Sequence, residues 1–220
     1  MSNGYIGYDG PSMLDGAPIR AIVTGVRRKS KNPKTDDMEQ VWIMPAHIAP
    51  LEASRTGDDA SVCGDCSHRP IHYKQRNVAP CYVNLFQAPN QIYKTTYPTE
   101  PATRDVPRRL GAWGEPTALP YDVAKALAPG KHTGYTHQWR TTNQQFRELL
   151  MASVDNEQEA HDAQAMGWRT FRVRKASEPL LPGEIVCPAS KEGNYKAKCA
   201  QCLLCAGTSR KAKNIAIIEH

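Results

Sequence analysis

Seven cysteines in two groups are the residues of this chain best suited to chemistry. Cys187, Cys199, Cys202 and Cys205 fall within CPASKEGNYKAKCAQCLLC, and Cys63, Cys66 and Cys81 within CGDCSHRPIHYKQRNVAPC. Two thiolates separated by two residues grip one centre, because the turn between them aims both sulfurs inward. The run CAQCLLC extends the grip to three. C-x2-C-x2-C is more at home in iron–sulfur proteins than in zinc ribbons, which use two separated C-x2-C knuckles. Four thiolates close a [4Fe–4S] site. Three leave one position open to a substrate or a fourth ligand, for which His68 and His72 are the nearby candidates. The expectation is one or two [4Fe–4S] clusters, with zinc as the alternative. A different partition joins Cys63 and Cys66 to Cys202 and Cys205 in one zinc ribbon, but it strands three thiols.

Disulfides are the competing use of thiols. Seven is an odd number, so complete internal pairing is impossible. The opening MSNGYIGYDGPS has neither a basic nor an apolar leader region. No apolar run approaches the roughly 20 residues of a membrane span. A reducing, cytoplasmic setting without membrane attachment is therefore expected, where disulfides rarely persist. Hydrophobic residues at 40% and charged residues at 23% fit an ordinary globular chain, and 220 residues can bury a real core.

The net charge of +6 favours an anionic partner, a nucleotide or nucleic acid. It is concentrated at 27–34, 104–109, 169–175 and 209–213. Solvated loops and strand ends are the ordinary explanation of such clusters.

The elements that must position these groups fall into two patterns. APIRAIVTGV (17–26) and MEQVWIM (38–44) read as an antiparallel pair of strands, an N-terminal β-hairpin. Residues 45–61 read as a connection with at most a short helix, and 83–97 as a late-starting helix around Pro89. From Arg108 onward strand and helix alternate: strands at 108–114, 132–139, 150–154 and 168–173, helices at 119–130, 142–150 and 155–167. This alternation predicts an α/β fold with a parallel sheet, either a partial (β/α) barrel or an open sheet. The divisions are 1–62 (β-rich), 63–97 (first cysteine group and helix), 98–107 (proline-rich linker), 108–186 (βα core) and 187–220 (cysteine-rich segment and closing strand), all within one compact domain.

Ligands of parallel α/β sheets sit at the carboxyl ends of the strands. That rim holds Glu115, His137 and Asp155, candidates for moving a proton, and Arg172 and Arg174, whose guanidinium forks suit an anionic group. Each has an ordinary alternative: Asp155 is a good helix N-cap, and His137 could be a hydrogen-bonded core residue.

Several of these residues together resemble the gene-product-88-like family of phage and plasmid proteins. They are the early cysteine pair followed by Cys81-Tyr82-Val83, the strand ending in Gly114-Glu115, Tyr135-Thr136, the strand bearing Ser153, and the CP…C..C..C tail closing in IAIIEH. GPSMLDGAPIRAIVTG and RLGAWGEP strengthen the likeness, which spans most of the chain. The resemblance implies a phage or mobile-element origin and a partial barrel. It also implies a distant likeness to radical S-adenosylmethionine enzymes, whose three-cysteine cluster binds that cofactor at an open iron. Those enzymes use C-x3-C-x2-C, whereas the spacing here is C-x2-C-x14-C. Two functions follow as expectations. One is an iron–sulfur enzyme acting on a nucleotide or nucleic acid. The other is a zinc-stapled nucleic-acid-binding protein without catalysis.

Overall fold

The computed structural model describes residues 2–29, 35–73 and 81–219. Part of the basic cluster at 27–34 lies outside these residues.

Strands β1 (Gly4–Pro11), β2 (Pro18–Thr24) and β3 (Glu39–Pro45) form an antiparallel meander. β3 is buried along its whole length, because β4 (Arg108–Trp113) pairs with it on the other side, now parallel. β5 (His132–Thr133) completes this sheet in the order β1-β2-β3-β4-β5. The second sheet is wholly parallel, in the order β6-β7-β8-β10-β9. Its strands are β6 (Tyr135–Thr136), β7 (Met151–Val154), β8 (Thr170–Arg174), β9 (Glu184–Val186) and β10 (Asn214–Ile218).

The sheets meet in one stretch of chain. His132 and Thr133 pair with Arg108 and Arg109, while Tyr135 and Thr136 pair with Met151 and Ala152. Gly134 stands between the two halves. A Cβ there would lie 2.5 Å from Leu150 Cδ2, so the backbone can pass between the sheets only as glycine. The molecule is a mixed α/β fold with an N-terminal hairpin and a parallel sheet.

Helices are short: α1 (Pro50–Thr56), α2 (Ala60–Cys63), α3 (Ala88–Lys94), α4 (Tyr121–Ala126), α5 (Glu157–Ala165) and α6 (Cys199–Cys202). α5 packs on β7 and β8, with Ala160 and Ala163 against the core that holds Ala152 and Val154. The opposite face of the parallel sheet carries Met151, Ile215 and Ile217, and Cys187 and Cys205 cover it.

Most expected elements are present, with instructive differences. β1 was not expected, because glycines interrupt its alternation and leave only Tyr5, Ile6 and Tyr8 as strand-forming side chains. The helix expected at 142–150 is a 3-10 turn over Gln144–Glu148. Asn143 starts it by accepting from Gln145 N, and its closely spaced turns bury Phe146. α5 is capped by Asn156, which accepts from Glu159 N at 2.9 Å, not by Asp155. That difference leaves Asp155 available to the site. Among the described residues no helix is long and apolar enough to cross a membrane.

Candidate metal centre and polar rim

The loop carrying the first cysteines is clamped from below. Arg69 donates to Asp59 Oδ1 through Nε (3.1 Å) and Nη2 (2.7 Å), to Gly64 O at 2.9 Å and to Gly57 O at 2.8 Å. Gly64, with φ +57°, passes so close to the Gln138 amide that a Cβ would stand 2.6 Å from it. Gln138 in turn donates to Cys63 O at 3.4 Å. The Cys63–Cys66 turn is thereby seated on the residue that follows β6 and His137.

The thiols of Cys63, Cys66 and Cys81 are close enough for their charges to interact. Burial pushes the Cys63 thiol well above its ordinary range, and Asp59, the other two thiols and Glu115 add to the effect. Burial likewise raises Cys81. Neighbouring half-buried thiols of which two, Cys63 and Cys81, resist ionisation are a poor free-standing arrangement, and a bound cation reverses that logic by stabilising the thiolates.

Around this trio stand the three expected rim residues. Glu115 follows Gly114 at the end of β4 and is 6% exposed. Its Oε1 accepts from His137 N at 3.1 Å and lies 2.9 Å from His137 Nδ1. Burial alone would lower the basicity of His137, but Cys66 and Glu115 beside it outweigh burial and hold it well above the ordinary histidine range. Asp155, at the end of β7, accepts from Ser67 Oγ at 2.8 Å and faces His68 Nε2 at 3.5 Å. These contacts keep its carboxyl below the usual range. His68 bridges the group, with ring centroids 5.7 Å from His137 and 5.3 Å from Tyr82. Glu115 Oε2 is buried without a hydrogen-bond partner, and Asp155 Oδ1 has only the longer His68 ion pair. A cleft of ≈ 560 Å³ adjoins the loop, lined by Asp15, Asp65, Gln138, Asn143 and Tyr121 among others, and by no lysine or arginine among the described residues.

Gly114 sets the carboxylate's position. Its φ is +82°, and a Cβ would lie 2.3 Å from Ile43 O. Gly114→Ala is expected to cost about 1–3 kcal/mol, since strand β4 must move away from β3 or adopt a strained backbone. Urea denaturation measures the loss, and a change below about 0.5 kcal/mol would show that the strand end yields freely.

The arginine pair does not join this site. Arg172 is 2% exposed and forms a bidentate pair with Glu184, Nε–Oε1 2.9 Å and Nη2–Oε2 2.8 Å, while also donating to Pro179 O. Arg174 binds Glu178 O and Glu192. Arg172 locks the β8–β9 connection in place with its fork filled by Glu184, and Arg174, 6% exposed with both Nη groups engaged, is likewise turned to internal partners. His72, on the 3-10 turn Pro70–Tyr73, is exposed.

The second group lies elsewhere, against the face of the parallel sheet opposite α5. Cys187 leaves β9, with its N–H donating to Ala216 O at 2.8 Å. Cys199 and Cys202 bracket α6, and the Cys205 carbonyl accepts from Gly134 N at 2.9 Å. Burial pushes the Cys205 thiol up to about 12, against a hydrogen bond from Tyr135; the charges of Cys187, Cys199 and Cys202 add to the rise. Arg169 holds the returning chain by donating to the carbonyls of Leu204, Gly207, Ala212 and Lys213.

Among the described residues, no three Cys, His, Asp or Glu side chains are grouped closely enough to form a metal-holding set. The two sets are therefore defined by neighbourhood: a trio on the rim and a quartet on the sheet face. Their donor chemistry fits a thiophilic metal or cluster. Asp59, Arg69 and Ser67 were missed in the sequence because nothing in their spacing marks them; only the fold brings them to the cysteines. No family model, curated protein or solved structure matches the chain.

Proposed function

We propose that this chain is an iron–sulfur protein with two centres: Cys187, Cys199, Cys202 and Cys205 hold a structural one, and Cys63, Cys66 and Cys81 hold the one placed for chemistry. The observation that carries the reading is the division of seven thiols into separate sets of four and three, with the three at the carboxyl rim of β4, β6 and β7. Partial barrels bind substrate at that rim, and a partial barrel is the finer fold this reading adopts. A cluster there would supply an electron when bound.

The chain's own groups would do the rest. Glu115 Oε2, buried and without a hydrogen-bond partner, would accept a hydrogen bond or a proton from substrate, and the Asp155 carboxylate, kept ionised by His68 and Ser67, would accept a hydrogen bond. The adjoining cleft offers carboxylates, amides and a phenol without a cation. It suits the sugar or base of a nucleotide better than its phosphates. S-adenosylmethionine is one ligand with a cationic, nucleoside-like body that matches this lining. An origin in a phage or mobile element accords with the sequence resemblance.

The zinc-stapled, nucleic-acid-binding alternative is weaker. The cluster at 104–109 is engaged internally, Arg104 with Asp37 and Arg108 with Glu39, and so is that at 169–175. Protein purified without oxygen decides between them. Brown colour with about four to eight irons per chain and matching sulfide is expected. A colourless protein with stoichiometric zinc would overturn the cluster reading.

A further inference from the structure

We infer that His137 is the fourth ligand of the centre formed by Cys63, Cys66 and Cys81, and that Glu115 is its positioning residue. This deepens the reading above and rests on its claim that those three thiols hold a metal centre.

Geometry favours His137 over the other imidazoles. Its Nδ1 lies 2.9 Å from Glu115 Oε1, which also accepts from the His137 backbone N–H. With Nδ1–H donated to the carboxylate, the lone pair is on Nε2, and the residues on this rim sit against the cysteine turn: Gln138 donates to Cys63 O at 3.4 Å and Glu115 N to Val62 O at 2.6 Å. Metal-ligating histidines are held in this way, with the far nitrogen donating to a carboxylate that fixes both tautomer and ring orientation. His68 is built differently: its Nε2 faces Asp155 and its ring lies against Tyr82. His72 is exposed. Glu115 is buried, and Gly114 lets it turn inward.

Charge points the same way. Three thiolates would stand near Asp59 and Glu115, a strongly negative, half-buried surrounding. A fourth anionic ligand would deepen that burden, whereas an imidazole, which gives up its second proton on ligating, adds no negative charge. The ligand set also has mechanical sense. Cys63 ends the four-residue α2 and Cys66 and Cys81 lie in loops, while His137 directly follows strand β6. Coordination would thus tie the cysteine loops to the sheet rim, and at rest the centre would be complete without an outside ligand.

The test compares wild type, His137→Cys, His137→Ala and Glu115→Gln, all purified without oxygen, with histidine supplied as the 15N form in a parallel growth. Pulsed electron paramagnetic resonance of the reduced wild type is expected to show a directly coordinated nitrogen whose coupling changes on 15N-histidine labelling. His137→Cys should keep wild-type iron and lose that nitrogen, since a thiolate replaces the imidazole. His137→Ala should lose up to half the iron while the four-cysteine centre remains. Glu115→Gln should keep the nitrogen and lose iron to a chelator at about 10- to 100-fold lower concentration.

Iron without a histidine nitrogen, or a nitrogen that survives His137→Cys, overturns the ligand assignment and leaves the proposed function standing. If the protein holds zinc, the proposed function falls. A cobalt-substituted sample then decides the ligand question separately, by whether its visible absorption shifts toward an all-sulfur field in His137→Cys. Protein that takes up neither metal overturns both.

Discussion

Cys199→Ser/Cys202→Ser protein is expected to lose its cooperative fold, because the segment these thiols belong to has little else to hold it. Residues 187–205 cover the sheet face bearing Met151, Ile215 and Ile217, yet their only regular element is the four-residue α6, without a side-chain cap. Among the described residues, four non-glycine positions have positive φ, and three are here: Asn194, Tyr195 and Leu203. Such conformations cost about 1–3 kcal/mol each and persist only where the surroundings over-determine them. A structural metal can contribute about 10–16 kcal/mol to folding, comparable with the whole stability of a domain, about 5–15 kcal/mol. Circular dichroism with thermal melting checks the outcome. A soluble double variant melting near wild type would remove the structural role assigned to the quartet.

The second large effect is expected at Arg172→Met. Arg172 and Glu184 are 2% and 0% exposed in their side chains and bound in two places. Removing one partner of such a pair leaves a buried, uncompensated carboxylate and costs about 3–5 kcal/mol. Glu184 still accepts from Leu181 N in the variant, which keeps the cost near the lower figure. Guanidinium denaturation measures it. The double change Arg172→Met/Glu184→Leu should recover most of the loss, because two apolar groups of similar volume need no partner. If the single variant were fully stable but bound ligand poorly, Arg172 would have the anion-binding role its sequence position suggested.

These arginines show where sequence reading stops. Thr170-Phe-Arg-Val-Arg alternates apolar and charged side chains, which suggests that one face is solvated and its charges are free. In the fold both faces are covered, so the charged face needed internal partners. Glu184 and Glu192 supply them from segments with no periodic pattern to announce them. The cysteine groups were legible because thiol spacing is a local property. The βα succession was legible because the strands at 108–113, 151–154 and 170–174 are bounded by glycines, turns and a capped helix. The His137–Glu115 contact spans 22 residues and depends on two strand ends meeting; only the positional rule for parallel sheets hinted at it.

The strand order has a consequence for when the molecule can be assembled. β9 has β10 as its sheet neighbour, and β10 enters between β8 and β9, both of which precede it in the chain. During synthesis, β9 therefore has nothing to pair with until residues 214–218 have emerged. Cys187, which leaves β9 and donates to Ala216 O, waits with it. Such late, long-range pairing is intrinsically slow, and it leaves an apolar sheet face exposed in the meantime. The four thiols are thus all synthesised before the sheet face they cover is complete, so docking of the closing strand, not translation of the cysteines, sets the earliest moment at which the proposed C-terminal centre would form.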